Sequence, residues 1–210
     1  MARTGARAAR LKDLLADIGF MPVAKPPPPR LQSLPAGLAT EVRNLYAELG
    51  GVSEDPVFRP GGWDLAFDGG VVVELDEQLH FNRYRATTLG REWAVSLPWT
   101  GDYLAYCTTY ESVCLADGRW GKRWTNPSCE RLFGVPDPSG VFGVRGAPRW
   151  KQRALYDAIK DAAALSPDTR LARLAIYDDV GGVMLDSVLE GRESVDVRAL
   201  DRLMQTRLAG

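Results

Sequence analysis

The stretch GGWDLAFDGGVVVELDEQLHF, Gly61–Phe81, decides how this chain is read. Trp63–Phe67 and Val71–Asp76 are short apolar runs, and Asp68-Gly69-Gly70 between them tolerates positive φ, so the pattern predicts a β-hairpin with a three-residue loop. Equal spacing from that loop sets Phe67 opposite Val71 and Asp64 opposite Glu74. Directly opposed residues share a sheet face with Cβ atoms about 5 Å apart. Asp76, two residues beyond Glu74, points the same way. Three carboxylates are thereby expected on one face, with Trp63, Leu65, Val71, Val73 and Leu75 on the other. Opposed like charges destabilise a hairpin unless something neutralises them, and a divalent cation is the expected counter-charge.

Charge outside the hairpin is segregated. Residues 51–80 carry seven acids (Glu54, Asp55, Asp64, Asp68, Glu74, Asp76, Glu77) against Arg59, a balance of −6. Residues 119–153 carry eight basic residues against Glu130 and Asp137, a balance of +6. An acidic patch and a basic one suit a metal-dependent enzyme acting on a polyanion, and equally two solvated faces of opposite sign. The 210 residues are 45% hydrophobic and 25% charged, enough apolar material for a sizeable core and incompatible with global disorder. No apolar run reaches the roughly 18 residues of a membrane span. The start, MARTGARAAR, is basic with no apolar run behind it, so a secretory signal is not expected. Three cysteines, Cys107, Cys114 and Cys129, are too few and too oddly numbered for a disulfide scaffold, which favours a reducing cytoplasm.

Helical spacing predicts helices over 6–19, 36–50, 81–89, 148–164 and 196–207. Strands are predicted over Glu92–Leu97 and Leu171–Tyr177. The tract Lys25-Pro-Pro-Pro-Pro-Arg30 reads as a stiff linker, so residues 1–30 are expected as an N-terminal helix and linker appended to a domain spanning 31–210. That domain divides into a core at 36–97, an irregular elaboration at 98–146, and C-terminal helices and strand at 147–210.

Glu74-Leu75-Asp76-Glu77-Gln78-Leu79-His80, with Asp64 ten positions before Glu74, resembles the core of the PD-(D/E)XK nuclease superfamily, nearest to the very-short-patch-repair endonucleases. Those carry an Asp on one strand and an apolar run ending E-x-D-G-x-x-H on the next. Glu74, Asp76 and His80 fall at that spacing behind Val71-Val72-Val73, whereas Glu77 stands where glycine is usual. The superfamily's strand lysine is absent, Asp76 occupying its place, as in the very-short-patch relatives. The resemblance covers roughly residues 36–97. It implies an α/β (α+β) fold with a restriction-endonuclease-like mixed central sheet flanked by helices.

It also implies Mg²⁺- or Mn²⁺-dependent hydrolysis of DNA phosphodiester bonds, in repair or defence, with RNA as the other polyanion open. Asp64, Glu74 and the backbone carbonyl of Leu75 would be the metal ligands, and Asp76 a further ligand or the orienter of a water. His80 would activate that water or protonate the leaving oxygen. Glu41 or Glu48, on the preceding helix, occupies the place of an extra metal-shell acid or is plain surface. Arg149, Lys151 and Arg153 at a helix start would face phosphate, and Lys151 could replace the missing strand lysine. Cys107-x6-Cys114-x14-Cys129 lacks the paired knuckle of a structural zinc site, so buried free thiols are expected. Trp99, Trp120, Trp124 and Trp150 are either core or stacking platforms for unpaired bases. The alternative to an enzyme is a catalytically inactive nuclease-fold module that binds nucleic acid or a protein partner, for which Glu77, crowding a fourth acid near the metal, is the argument. No membrane association is expected, and a homodimer stays open.

Overall fold

The computed structural model describes residues 5–210; the first four residues of the basic start lie outside them. The chain divides into two compact units. The first takes Met1–Pro28, Gly62–Glu77 and Ala164–Gly210, and the second takes Pro29–Gly61 and Gln78–Ala163.

The first unit is built on a four-stranded mixed sheet of β1 (Leu65–Phe67), β2 (Val71–Asp76), β3 (Arg170–Ala175) and β4 (Leu208–Ala209), in that spatial order. The hairpin is present in the expected register, Leu65 opposite Val73 and Phe67 opposite Val71. Gly69 and Gly70 supply the positive φ its turn requires, at 64° and 75°. β3 runs parallel to β2, with Glu74 beside Arg173, and antiparallel to β4. One sheet face is apolar: Leu65, Phe67, Val71, Val73, Leu75, Ala172 and Leu174 pack into a core with α1 (Ala6–Asp17), α7 (Leu185–Leu189) and α8 (Val197–Arg207). The architecture is therefore mixed α/β, a mixed sheet flanked by helices. Trp63 is also buried, but its indole donates to the Pro27 carbonyl rather than joining that core.

The N-terminal helix is no appendage. Leu11, Leu14 and Leu15 of α1 are buried in the sheet's core. Arg7 reaches α7, at 2.7 Å from Asp186 and 2.6 Å from Glu190. A proline tract looks like a spacer in sequence, but the apolar stripe ahead of it decides where the helix goes.

The second unit is helical. α6 (Pro148–Ala163) is buried along nearly its whole length and packs against α2 (Ala36–Glu48), α3 (Arg83–Leu89) and α5 (Pro127–Phe133). Leu155, Ala158, Ile159 and Ala162 meet Val42, Leu45 and Tyr46 of α2 and Leu132 and Phe133 of α5. Two expectations fail here. Glu92–Leu97 is not a strand: a single 3₁₀ turn at Glu92–Ala94 leads into α4 (Thr100–Gly118), and the Thr100 hydroxyl donates to the Ala94 carbonyl. Residues 98–146 are not irregular throughout, because α4 alone runs for 19 residues. Its buried positions, Thr100, Tyr103, Cys107, Cys114 and Gly118, keep helical spacing but are small or polar, so the apolar stripe that betrays a helix is missing. Among the described residues no helix is long and apolar enough to cross a membrane.

Truncating Leu15 to Ala is expected to destabilise the protein by about 2–5 kcal/mol, as for a large-to-small change in a core. A urea melt checks this; an appended helix would leave the midpoint unchanged.

Candidate functional site

The polar face of the sheet is where the carboxylates meet. Asp64, just ahead of β1, and Glu74 on β2 are cross-strand neighbours locked by reciprocal bonds: the Asp64 backbone N–H donates to Glu74 Oε1 at 3.2 Å, and the Leu75 N–H donates to Asp64 Oδ2 at 2.9 Å. Glu74 is 4% exposed and Asp76 1% exposed, so this face is buried although it carries charge. Arg173, fully buried on β3, answers part of that charge. Its Nη1 donates to both oxygens of Asp76, at 2.8 and 3.0 Å.

The donor atoms that Asp64, Glu74 and Asp76 offer are all hard oxygens, the kind that suits Mg²⁺ or Mn²⁺. The fit differs in detail from the expectation. Asp64 and Glu74 bond across the hairpin, and Asp76 accepts from Arg173 with both of its oxygens. Leu75 contributes its N–H to holding Asp64. The half-exposed side chain of Glu77 pairs with Arg7, 3.4 Å away.

Arg173 was not recognised from sequence. A signal was present, a lone arginine inside the otherwise apolar strand Leu171-Ala172-Arg173-Leu174-Ala175, where an unpaired charge is untenable.

In the second unit, His80 closes a 3₁₀ turn at Gln78–His80, and its Nδ1 lies 2.9 Å from Oδ2 of Asp157 on α6. Asp161, one helical turn further, pairs with buried Arg85 at 2.6 Å. Asp157 and Asp161 were also missed. Their signal was two acids at i, i+4 on an amphipathic helix, both on its inward side.

The phosphate-facing trio does not form one patch. Lys151 is buried, its ammonium 5.6 Å from the centre of the Tyr84 ring and 6.0 Å from that of Phe133. Burial pushes it below the usual lysine range, with Asp137 opposing. Arg149 donates to Gln152 Oε1 at 2.6 Å, and Arg153 donates to the Leu79 carbonyl at 3.0 Å. Glu41 bonds to Asn44 and Glu48 pairs with Arg91, both at the surface of α2. The three cysteines are buried and unbridged, and desolvation raises the Cys114 thiol to about 12. Trp99, Trp124 and Trp150 are buried; Trp120 alone of the four is exposed.

A family model described as "Family of unknown function (DUF7255)" matches residues 44–191. No curated protein and no solved structure matches the chain.

Arg173→Met should destabilise the protein by about 3–5 kcal/mol, because it strands buried carboxylates. Adding Asp76→Asn should recover part of that loss, a coupling read from a double-mutant cycle of urea melts. Lys151 gives a pH test. Its folded-state pKa lies below the unfolded one, so between the two values the unfolded chain binds more protons and stability rises with pH. Lys151→Met should be more stable than wild type at neutral pH, and the difference should narrow as pH rises toward about 10. Thermal midpoints of the two proteins across pH 7 to about 10 check it.

Proposed function

The chain belongs to this family of unknown function, and on that premise we propose that it is a Mg²⁺- or Mn²⁺-dependent phosphodiester hydrolase acting on DNA, with a restriction-endonuclease-like core. The observation that carries the proposal is the reciprocal bonding of Asp64 and Glu74 on the buried sheet face that also carries Asp76. A cation bound there would polarise a phosphoryl oxygen and acidify a water. Asp64 and Glu74 would hold it with hard oxygens. Arg173 pairs with Asp76 on the same face, where the carboxylate would be a further ligand or would orient a water.

His80, whose Nδ1 lies 2.9 Å from the Asp157 carboxylate, would be the general base or acid of that reaction. The ion pair Asp76–Arg173, at the position where the superfamily carries its lysine, favours a second reading: a nuclease-fold module that binds nucleic acid or a protein partner without cleaving.

The test is nicking of supercoiled plasmid by the purified protein with Mn²⁺ or Mg²⁺, stopped by chelator. Glu74→Gln and Asp64→Asn should abolish cleavage, and His80→Ala should slow it by about 10²–10⁴-fold. Mn²⁺ at a hundredfold excess over its dissociation constant should stabilise the wild type by about 2.7 kcal/mol and Glu74→Gln not at all. Equal shifts in both proteins, or none, together with no nicking, would leave the binding module as the surviving reading.

A further inference from the structure

Within the second unit, α5 separates two clefts. The first, of about 820 Å³, takes Asn126, Pro127 and Glu130 from α5 and its N-cap, and the second, of about 640 Å³, takes Ser128, Arg131 and Leu132 from the same helix. Their linings are complementary in chemistry.

The first cleft holds Trp120, 61% exposed, and the other exposed large apolar side chains among the described residues are Val, Leu and Met. Leaving an indole in water forgoes the burial that its three neighbours Trp99, Trp124 and Trp150 achieve. Arg119 stacks on the ring with its guanidinium carbon 4.9 Å from the ring centre, and Lys122 stands beside it. The acids of this cleft are already engaged. Glu130 accepts from the Thr125 hydroxyl at 2.7 Å, and Asp137 accepts the Arg145 and Gly146 backbone N–H groups at 3.0 and 2.6 Å. Those backbone bonds hold the Asp137 carboxyl below its ordinary range.

The second cleft brings together Arg59, Arg131 and Arg149 against Asp55 alone. Its wall is built. Gln152, 2% exposed, accepts from Arg149 Nη1 at 2.6 Å and donates to the Ser128 and Tyr156 hydroxyls at 3.3 and 3.5 Å. A buried amide thus aims one arginine and two hydroxyls along a cavity. Arg59 and Arg131 are exposed and form no ion pair among the described residues.

We propose that these two clefts form a binding track for single-stranded DNA, in which an unpaired base stacks on Trp120 and the neighbouring phosphates are met by Arg59, Arg131 and Arg149. An exposed indole needs a base whose face is free, which a duplex does not offer, and base–aromatic stacking beside a cationic groove is how unpaired strands are held without sequence preference. A small anion would not use the indole, and an apolar partner would not use three arginines. The track also names a substrate class for the hydrolase reading, but it does not depend on cleavage.

The experiment is fluorescence anisotropy of a labelled 15-nucleotide single strand, and of a duplex of that length, with the full chain in chelator across a salt series. Wild type should prefer the single strand. Trp120→Ala should weaken that binding by about 5- to 150-fold, with the duplex unaffected, and Trp120→Tyr should restore most of it. Arg59→Ala with Arg131→Ala should lower affinity and reduce the slope of log affinity against log salt by about 1.4. All three variants change exposed side chains, and a thermal melt confirms that each is folded. Equal affinity for duplex and single strand, or binding that survives Trp120→Ala, overturns the proposal. Because no metal is present, absence of plasmid nicking with binding intact removes the hydrolase reading and leaves this one standing.

Discussion

Three carboxylates on a buried sheet face are the constraint around which the first unit is organised. Removing a carboxylate from water costs several kcal/mol unless partners replace the lost hydration. Here the replacements are specific. The Leu75 N–H serves Asp64, the Asp64 N–H serves Glu74, and the Arg173 guanidinium serves Asp76. Arg173 can do so because β3 lies parallel to β2 and sets Arg173 directly beside Glu74, on the face that Asp76 also shares. A one-residue slip of β3 would turn the arginine into the apolar core and leave the acids without it.

The same logic recurs wherever charge is buried. Asp178 accepts the Ala175 N–H at 2.7 Å and pairs with Arg207 at 2.6 Å, tying the end of β3 to the end of α8. In the second unit Asp157 and Asp161 face inward from α6 and are answered by His80 and Arg85. Buried ion pairs are a poor source of net stability compared with apolar packing. Such pairs do make the arrangement discriminating, since any other packing leaves a charge stranded. Buried carboxylates and, in the other unit, a carboxylate-held imidazole are groups of the kind that the proposed hydrolysis would use. The aromatic and arginine-lined clefts beside α5 use a different economy: Trp120, Arg59 and Arg131 stay in water, so their packing value is small and their availability to a ligand is high.

The hairpin was legible in sequence because everything that determines it is local. A short loop with two glycines sets the register, and alternation then assigns each side chain to a face, so the meeting of Asp64 with Glu74 could be counted out residue by residue. Helices α1, α2, α6 and α8 were legible for a similar reason, since each carries an apolar stripe of its own. α4 was not, because it buries threonine, tyrosine, cysteine and glycine where a stripe of leucine would have announced it.

What the sequence determined by itself was the presence of the acidic hairpin, its register and the neighbouring histidine. What only the tertiary structure decided was who answers those charges and which basic and aromatic residues remain in water. Arg173 meets Asp76 across 97 positions of chain, and Asp157 meets His80 across 77. No periodicity carries over such separations. Glu77 turning to Arg7, Lys151 going inside while Arg131 stays out, and Trp120 alone remaining exposed among four neighbouring tryptophans follow from packing rather than from residue type. Local geometry can place a side chain on a face, but only the elements packed against that face decide whether it is covered, and by what.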